Sequence, residues 1–107
     1  MYKLCFFVPK EHLEEVKQAL FAQGAGKIGD YDCCAWQVLG TGQFRPLPGS
    51  EPFIGETEKI TRLNEYKVEM VCADRLIKQV VAALLQTHPY QQPAYEVSKI
   101  LAFDELE

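Results

Sequence analysis

No apolar run in this chain approaches the roughly 20 residues needed to span a bilayer. The opening MYKLCFFVPK passes from a charge straight into a short strand pattern, without a signal-type cleavage site. The expectation is a cytoplasmic protein without a membrane partner. Cations are scarce and scattered: 11 Lys and Arg stand against 15 Asp and Glu, for a net charge of -4. Nucleic-acid phosphates demand clustered Lys and Arg, so nucleic acid is excluded as a partner. Neither G-K-[ST] nor G-x-G-x-x-G occurs, which excludes a P-loop and a dinucleotide fingerprint. The four cysteines show no C-x-x-C and no zinc-site spacing. Cys5 and Cys72 lie in the apolar runs LCFFV and VEMVCA. Cys33 and Cys34 are adjacent, and in an extended strand they would point to opposite faces and share neither a bridge nor a metal. Reduced, mostly structural thiols are expected.

What is present is material for one domain over residues 1–107, with 48% hydrophobic and 24% charged residues and one modest core. Residues 2–8, YKLCFFV, form an aromatic-rich apolar run that Pro9 ends, which predicts a central strand. In KEHLEEVKQALFAQ, Leu13, Val16, Ala19 and Leu20 recur at helical spacing against Glu14, Glu15, Lys17 and Gln18. This predicts a helix near 11–23 with His12 on its exposed side, closed by Gly24 in the left-handed conformation. Tyr31–Leu39, YDCCAWQVL, is strand-like with apolar residues on both faces. Residues 40–56 hold four glycines and three prolines and predict a long loop, with room for a short strand at each end. NEYKVEMVCA alternates Tyr66, Val68, Met70 and Cys72 with Glu65, Lys67 and Glu69, as a half-buried strand does. Asp74 is the expected N-cap of a second helix near 74–88, striped by Leu76, Ile77, Val80, Val81, Leu84 and Leu85. AYEVSKILAF supplies the last strand.

This order predicts an α+β, ferredoxin-like βαββαβ fold: an antiparallel four-stranded sheet with two helices on one face. The other face would be bare, and the strands carry apolar residues on both faces, Cys5 and Phe7 on one and Phe6 and Val8 on the other. Water seldom contacts such a surface, so self-association is expected, with Trp36 or the loop residues Phe44 and Phe53 partly buried between subunits.

GAGKIGDY, the following C-x-W with its glycine-bounded GTGQFRPLPGSEPFIG, the strand NEYKVEMV and HPYQQPAYEV run in order along the chain. Together they resemble the PII-like domain inserted in the GTP cyclohydrolase 1 type 2-like (dinuclear-metal) proteins, here expected to stand alone. A more distant similarity is to the divalent-cation-tolerance (CutA) proteins and the PII signalling proteins. The resemblance implies a homo-oligomer, a trimer in those relatives, with small molecules or metals at clefts between subunits. It carries over no dinuclear metal ligand, because those lie outside the inserted domain. Where the resembled pattern usually has an acidic residue this chain has Gln91, which removes a charge that a metal at His88 would use.

His88 opens two readings. In the first it sits at the C-terminal end of the second helix, protonated by the dipole and capping the last carbonyls, beside Pro89. In the second, His88 and Tyr90 join Glu65 and the loop residues Phe44 and Arg45 in a ligand pocket, Arg45 being suited to a carboxylate or phosphate. Catalysis has little to stand on: no Ser or Cys is paired in sequence with a histidine, and Glu65 and Glu69, though on one face, read as an ordinary polar strand face. The expected function is a non-catalytic PII-like oligomeric binding or regulatory module for a small ligand or a protein partner. The alternative is a divalent-metal-binding protein of the cation-tolerance type, using His88 with Glu65 or a cysteine. The sequence names no cofactor.

Overall fold

In a computed structural model that describes residues 1–107, the strands are β1 (Tyr2–Val8), β2 (Trp36–Phe44), β3 (Thr61–Cys72) and β4 (Tyr95–Lys99). The helices are α1 (Lys10–Ala22) and α2 (Ile77–Thr87). The strands form one antiparallel sheet in the order β2-β3-β1-β4. Leu4, Phe6 and Val8 of β1 and Val68, Met70 and Cys72 of β3 share one face, and all are buried against Leu13, Val16 and Leu20 of α1 and Val80 and Leu84 of α2. The expected α+β ferredoxin-like fold is therefore present, with both helices on the face that the period-2 pattern marks as apolar.

Four local expectations need correction. The second strand does not run over 31–39 but over Trp36–Phe44, and the residues before it form turns. Gly26 and Gly29 have positive φ and Cys33 takes a φ of 53°, so this segment cannot extend into a ladder. Cys33 and Cys34 thus lie outside any strand; all four cysteines are free, with Cys5 and Cys72 buried. Residues 40–44 are not a separate short strand at the end of the loop but the continuation of β2, pairing with Thr61–Glu65, because a neighbouring strand supplies the ladder that glycine alone does not favour. Asp74 does not cap α2. Ala73 holds that position for a 3-10 turn, Asp74–Leu76, while the Asp74 carboxylate pairs with Lys99 and the Met1 amino group.

β1 reaches only as far as the pairing of Val8 with Tyr66. Beyond it, Gly40–Phe44 and Thr61–Glu65 pair with each other alone and project from the sheet as a two-stranded ribbon. The radius of gyration, 15.2 Å, accordingly exceeds the roughly 13 Å of a compact chain of this length. Both edge strands, β2 and β4, are almost wholly exposed. The sheet face away from the helices is mixed rather than uniformly apolar. Lys3 and Lys67 bracket Glu69 at 3.0 and 3.7 Å, and the salt bridges lie beside Cys5, Phe7, Trp36 and Val38.

Candidate functional site

The projecting ribbon, the turn after α2 and residues 45–54 line an open cavity of about 600 Å3. The segment is pinned at several points. Glu58 N–H donates to the Pro46 carbonyl at 2.6 Å, Glu51 N–H donates to Gln91 Oε1 at 2.9 Å, and the Phe53 ring packs edge-on to His12 at 5.4 Å. His12 is thus not on a bare helix face as expected; it is the contact through which α1 receives this segment. Gln91, where the resembled pattern has an acid, serves as an acceptor that holds the loop.

Four of the five anticipated site residues, Phe44, Arg45, Glu65 and Tyr90, line this cavity. Alternation explains the grouping: Gly40, Gly42, Phe44 and Glu65 all point to the sheet face away from the helices. The Glu65 carboxylate lies back across β2 at Gly42, where a Cβ would meet Glu65 Oε1 at 1.8 Å. A side chain at Gly42 would displace the carboxylate from this position. The sequence reading attributed this glycine to loop freedom and missed its role, although the signal was there: a glycine in the ribbon diagonally across from an acidic residue. Tyr90 O–H donates to Glu65 Oε2 at 2.7 Å, and the Tyr90 ring lies 6.2 Å from Phe44 and 6.5 Å from Phe53. Burial, followed by the hydrogen bond to Glu65 and its charge, holds the Tyr90 phenol far above its usual range. It is therefore a fixed donor and not a base.

His88 stands behind the site rather than in it. Pro89 forces it into extended backbone (φ -67°, ψ 136°), which ends α2. Its Nδ1 accepts from Tyr90 N–H at 3.1 Å, leaving the proton on Nε2, which donates to the Phe7 carbonyl at 2.6 Å. The ring packs on Tyr90 at 4.7 Å between centroids and is 6% exposed. Burial pulls its pKa below the ordinary 6.5, and the bond to Phe7 and the charge of Glu65 only partly oppose that. Both sequence-based assignments for its imidazole are therefore corrected. It is neutral rather than protonated by the helix dipole, and it ties the end of α2 to β1 instead of capping α2 carbonyls. The proposed metal at His88 and Glu65 does not fit either, since both ring nitrogens are committed. No group of three His, Cys, Asp or Glu side chains is placed to share an ion. Glu69, the other carboxylate on this face, is held below the usual carboxylate range by its bond to Lys3 and works apart from Glu65.

No family model matches the chain. It is 41% identical over 97 residues to the GTP cyclohydrolase 1 type 2 homolog of Halalkalibacterium halodurans, covering 91% of this chain and 26% of that protein. It is 43% identical over 95 residues to the homolog of Mycobacterium tuberculosis, covering 89% and 25%. The chain thus spans about a quarter of the length of the curated relatives it matches. Among solved structures, the Bacillus cereus protein related to NIF3 superposes with a TM-score of 0.77 at 36% identity, over 90% of this chain and 24% of that one. CutA1 from Pyrococcus horikoshii superposes with a TM-score of 0.69 at 17% identity, over 97% and 89%, and the PII-like protein CutA from a Nostoc species with 0.67 at 14%, over 94% and 81%. This chain is a domain of PII-like, CutA-like fold that resembles in sequence one quarter of the GTP cyclohydrolase 1 type 2 homologs.

Proposed function

We propose that this domain is a non-catalytic, homo-oligomeric binding or regulatory module whose ligand occupies the cavity between the ribbon, the segment 45–60 and the turn at Tyr90. The observation that carries the reading is the cavity itself. Its volume of about 600 Å3 falls in the range of small-molecule sites, roughly 300–1,000 Å3. Its lining combines apolar side chains, Phe7, Phe44 and Phe53 among them, with polar ones that include Arg45 and a Glu65 held by Tyr90. That is an arrangement for recognition. The phenol is held protonated, the His88 imidazole is sealed, and the lining contains neither histidine nor cysteine. The activity named for the longer relatives is not proposed for this chain, which corresponds to a quarter of their length.

Self-association has independent support. Only 17 of 107 residues are buried within the subunit, while Trp36, Val38, Tyr95 and Val97 on the two edge strands are 39–59% exposed. Long exposed edges of this kind are normally covered. A trimer is the assembly implied by the PII-like resemblance.

The test is a thermal-shift screen. Small-molecule extract from the source cells, added to the purified protein, should raise Tm by mass action. The Phe44→Ala and Arg45→Ala variants should lose that response while keeping their own fold. An unchanged response in both variants would overturn the site.

A further inference from the structure

The chemistry of the cavity narrows its ligand. Glu65 spends only one oxygen on the protein: Oε2 takes the Tyr90 phenol, while no protein donor reaches Oε1, which is not sealed from solvent. Oε1 lies over Gly42, and the Tyr90 bond to Oε2 fixes the carboxylate that carries it. The rings of Phe44 and Phe53 flank Tyr90 at 6.2 and 6.5 Å, so the free oxygen belongs to a carboxylate set among aromatic rings. Such a combination favours an ammonium group, which donates to the carboxylate while the ring faces attract its charge. Arg45, which also lines the cavity, is exposed and makes no ion pair, a bidentate partner for an anionic group.

We propose that the ligand is a small amphoteric amine, with its protonated amino group on Glu65 Oε1 among Phe44, Phe53 and Tyr90 and its anionic group on Arg45. This rests on the reading of the cavity as a binding site and names the chemical class that fills it. The lining also includes Phe7, Leu47 and Ile54, so the ligand carries an apolar or aromatic body joining its charged ends.

Three probes separate the parts: para-(aminomethyl)benzoate has both charges, para-toluate only the anion, and para-methylbenzylamine only the amine. Each is titrated into the wild-type protein and followed by the amide resonances of the cavity residues. The doubly charged probe should bind the tightest. Glu65→Gln should weaken both amine-bearing probes by at least roughly tenfold, the scale of one charge-assisted hydrogen bond, and leave para-toluate unchanged. Arg45→Gln should weaken the two carboxylates and spare para-methylbenzylamine. If para-toluate binds as well as the doubly charged probe, or if Glu65→Gln leaves the amines unaffected, the amine assignment is overturned while the cavity still stands as a site. Equal binding of para-methylbenzylamine and the doubly charged probe overturns the Arg45 half. Failure of all three probes to shift any cavity resonance overturns both the ligand class and the site.

Discussion

The phenol of Tyr90 donates a 2.7 Å hydrogen bond to Oε2 of Glu65, joining the rigid turn after α2 to the ribbon of β2 and β3 across 25 positions of sequence. It fixes the only carboxylate that lines the cavity and leaves the second oxygen without a protein donor. Tyr90→Phe removes the donor and little else. The pair is partly exposed, so the expected loss is about 1 kcal/mol, equivalent to a fall in Tm of roughly 4–8 °C. Thermal unfolding of Tyr90→Phe, Glu65→Gln and the double variant checks it: the two single losses should not add, because each removes the same bond.

The two glycines of the ribbon should behave differently. A Cβ at Gly40 meets nothing nearer than the Glu65 carbonyl at 4.0 Å, whereas one at Gly42 collides with the Glu65 carboxylate at 1.8 Å. Gly40→Ala is expected to be neutral or stabilising by about 0.4–1 kcal/mol through the unfolded chain. Gly42→Ala must expel the carboxylate and is expected to cost about 1–2 kcal/mol. Denaturant unfolding of the two variants reads the difference, and equal effects would show that Glu65 is not seated on Gly42.

His88 should govern a pH dependence. Its folded pKa lies below the ordinary 6.5, so as pH falls through 6.5 the unfolded chain takes up a proton that the fold refuses. The stability contributed by neutral His88 is complete above pH 6.5 and declines as pH drops towards the folded pKa. Glu65, which favours the charged ring, and His12, which opposes it, are the titratable groups acting on it. His88→Ala leaves the Phe7 carbonyl and Tyr90 N–H without partners in a buried place and is expected to cost about 2–4 kcal/mol at neutral pH. The gap between wild type and variant should narrow as pH falls from 6.5 to 5. A gap that stays constant or widens on acidification would contradict a neutral, buried imidazole.

The edge strands make a separate prediction about assembly. Trp36 is 59% and Val38 43% exposed on the open face in the isolated subunit. Trp36→Glu with Val38→Lys places charge at the proposed subunit contact, where an unpaired buried charge is strongly unfavourable. Sedimentation equilibrium should show the wild type as an oligomer and the double variant as a monomer that remains folded. A wild-type monomer at tens of micromolar would remove the assembly from the account.

Periodicity made most of the fold legible. The apolar stripes of α1 and α2 and the alternation of Tyr66, Val68, Met70 and Cys72 each point one way, and the buried residues follow them. β2 was misplaced by about five residues because its glycines and the Cys33 backbone obey non-local demands. Thr61–Glu65 draws GTGQF into a ladder, and the positive φ at Cys33 keeps the residues before Trp36 out of it. The meeting of Phe44, Arg45, Glu65 and Tyr90 at one cavity is legible from the order of elements, which brings the rigid turn after α2 beside the segment that precedes β3. The chemistry of His88 was not, since it depends on where the Phe7 carbonyl and the Tyr90 amide come to lie.

Native mass spectrometry of the protein isolated from its source cells under non-denaturing conditions tests the central claim most directly, provided the wild type is compared with the Phe44→Ala, Arg45→Ala double variant. The account predicts an oligomer carrying a retained small molecule at about one per subunit, and a variant with the same subunit count but without that added mass. A wild type that holds no small molecule, or a variant that retains it at the same occupancy, would contradict the assignment of this cavity as the functional site.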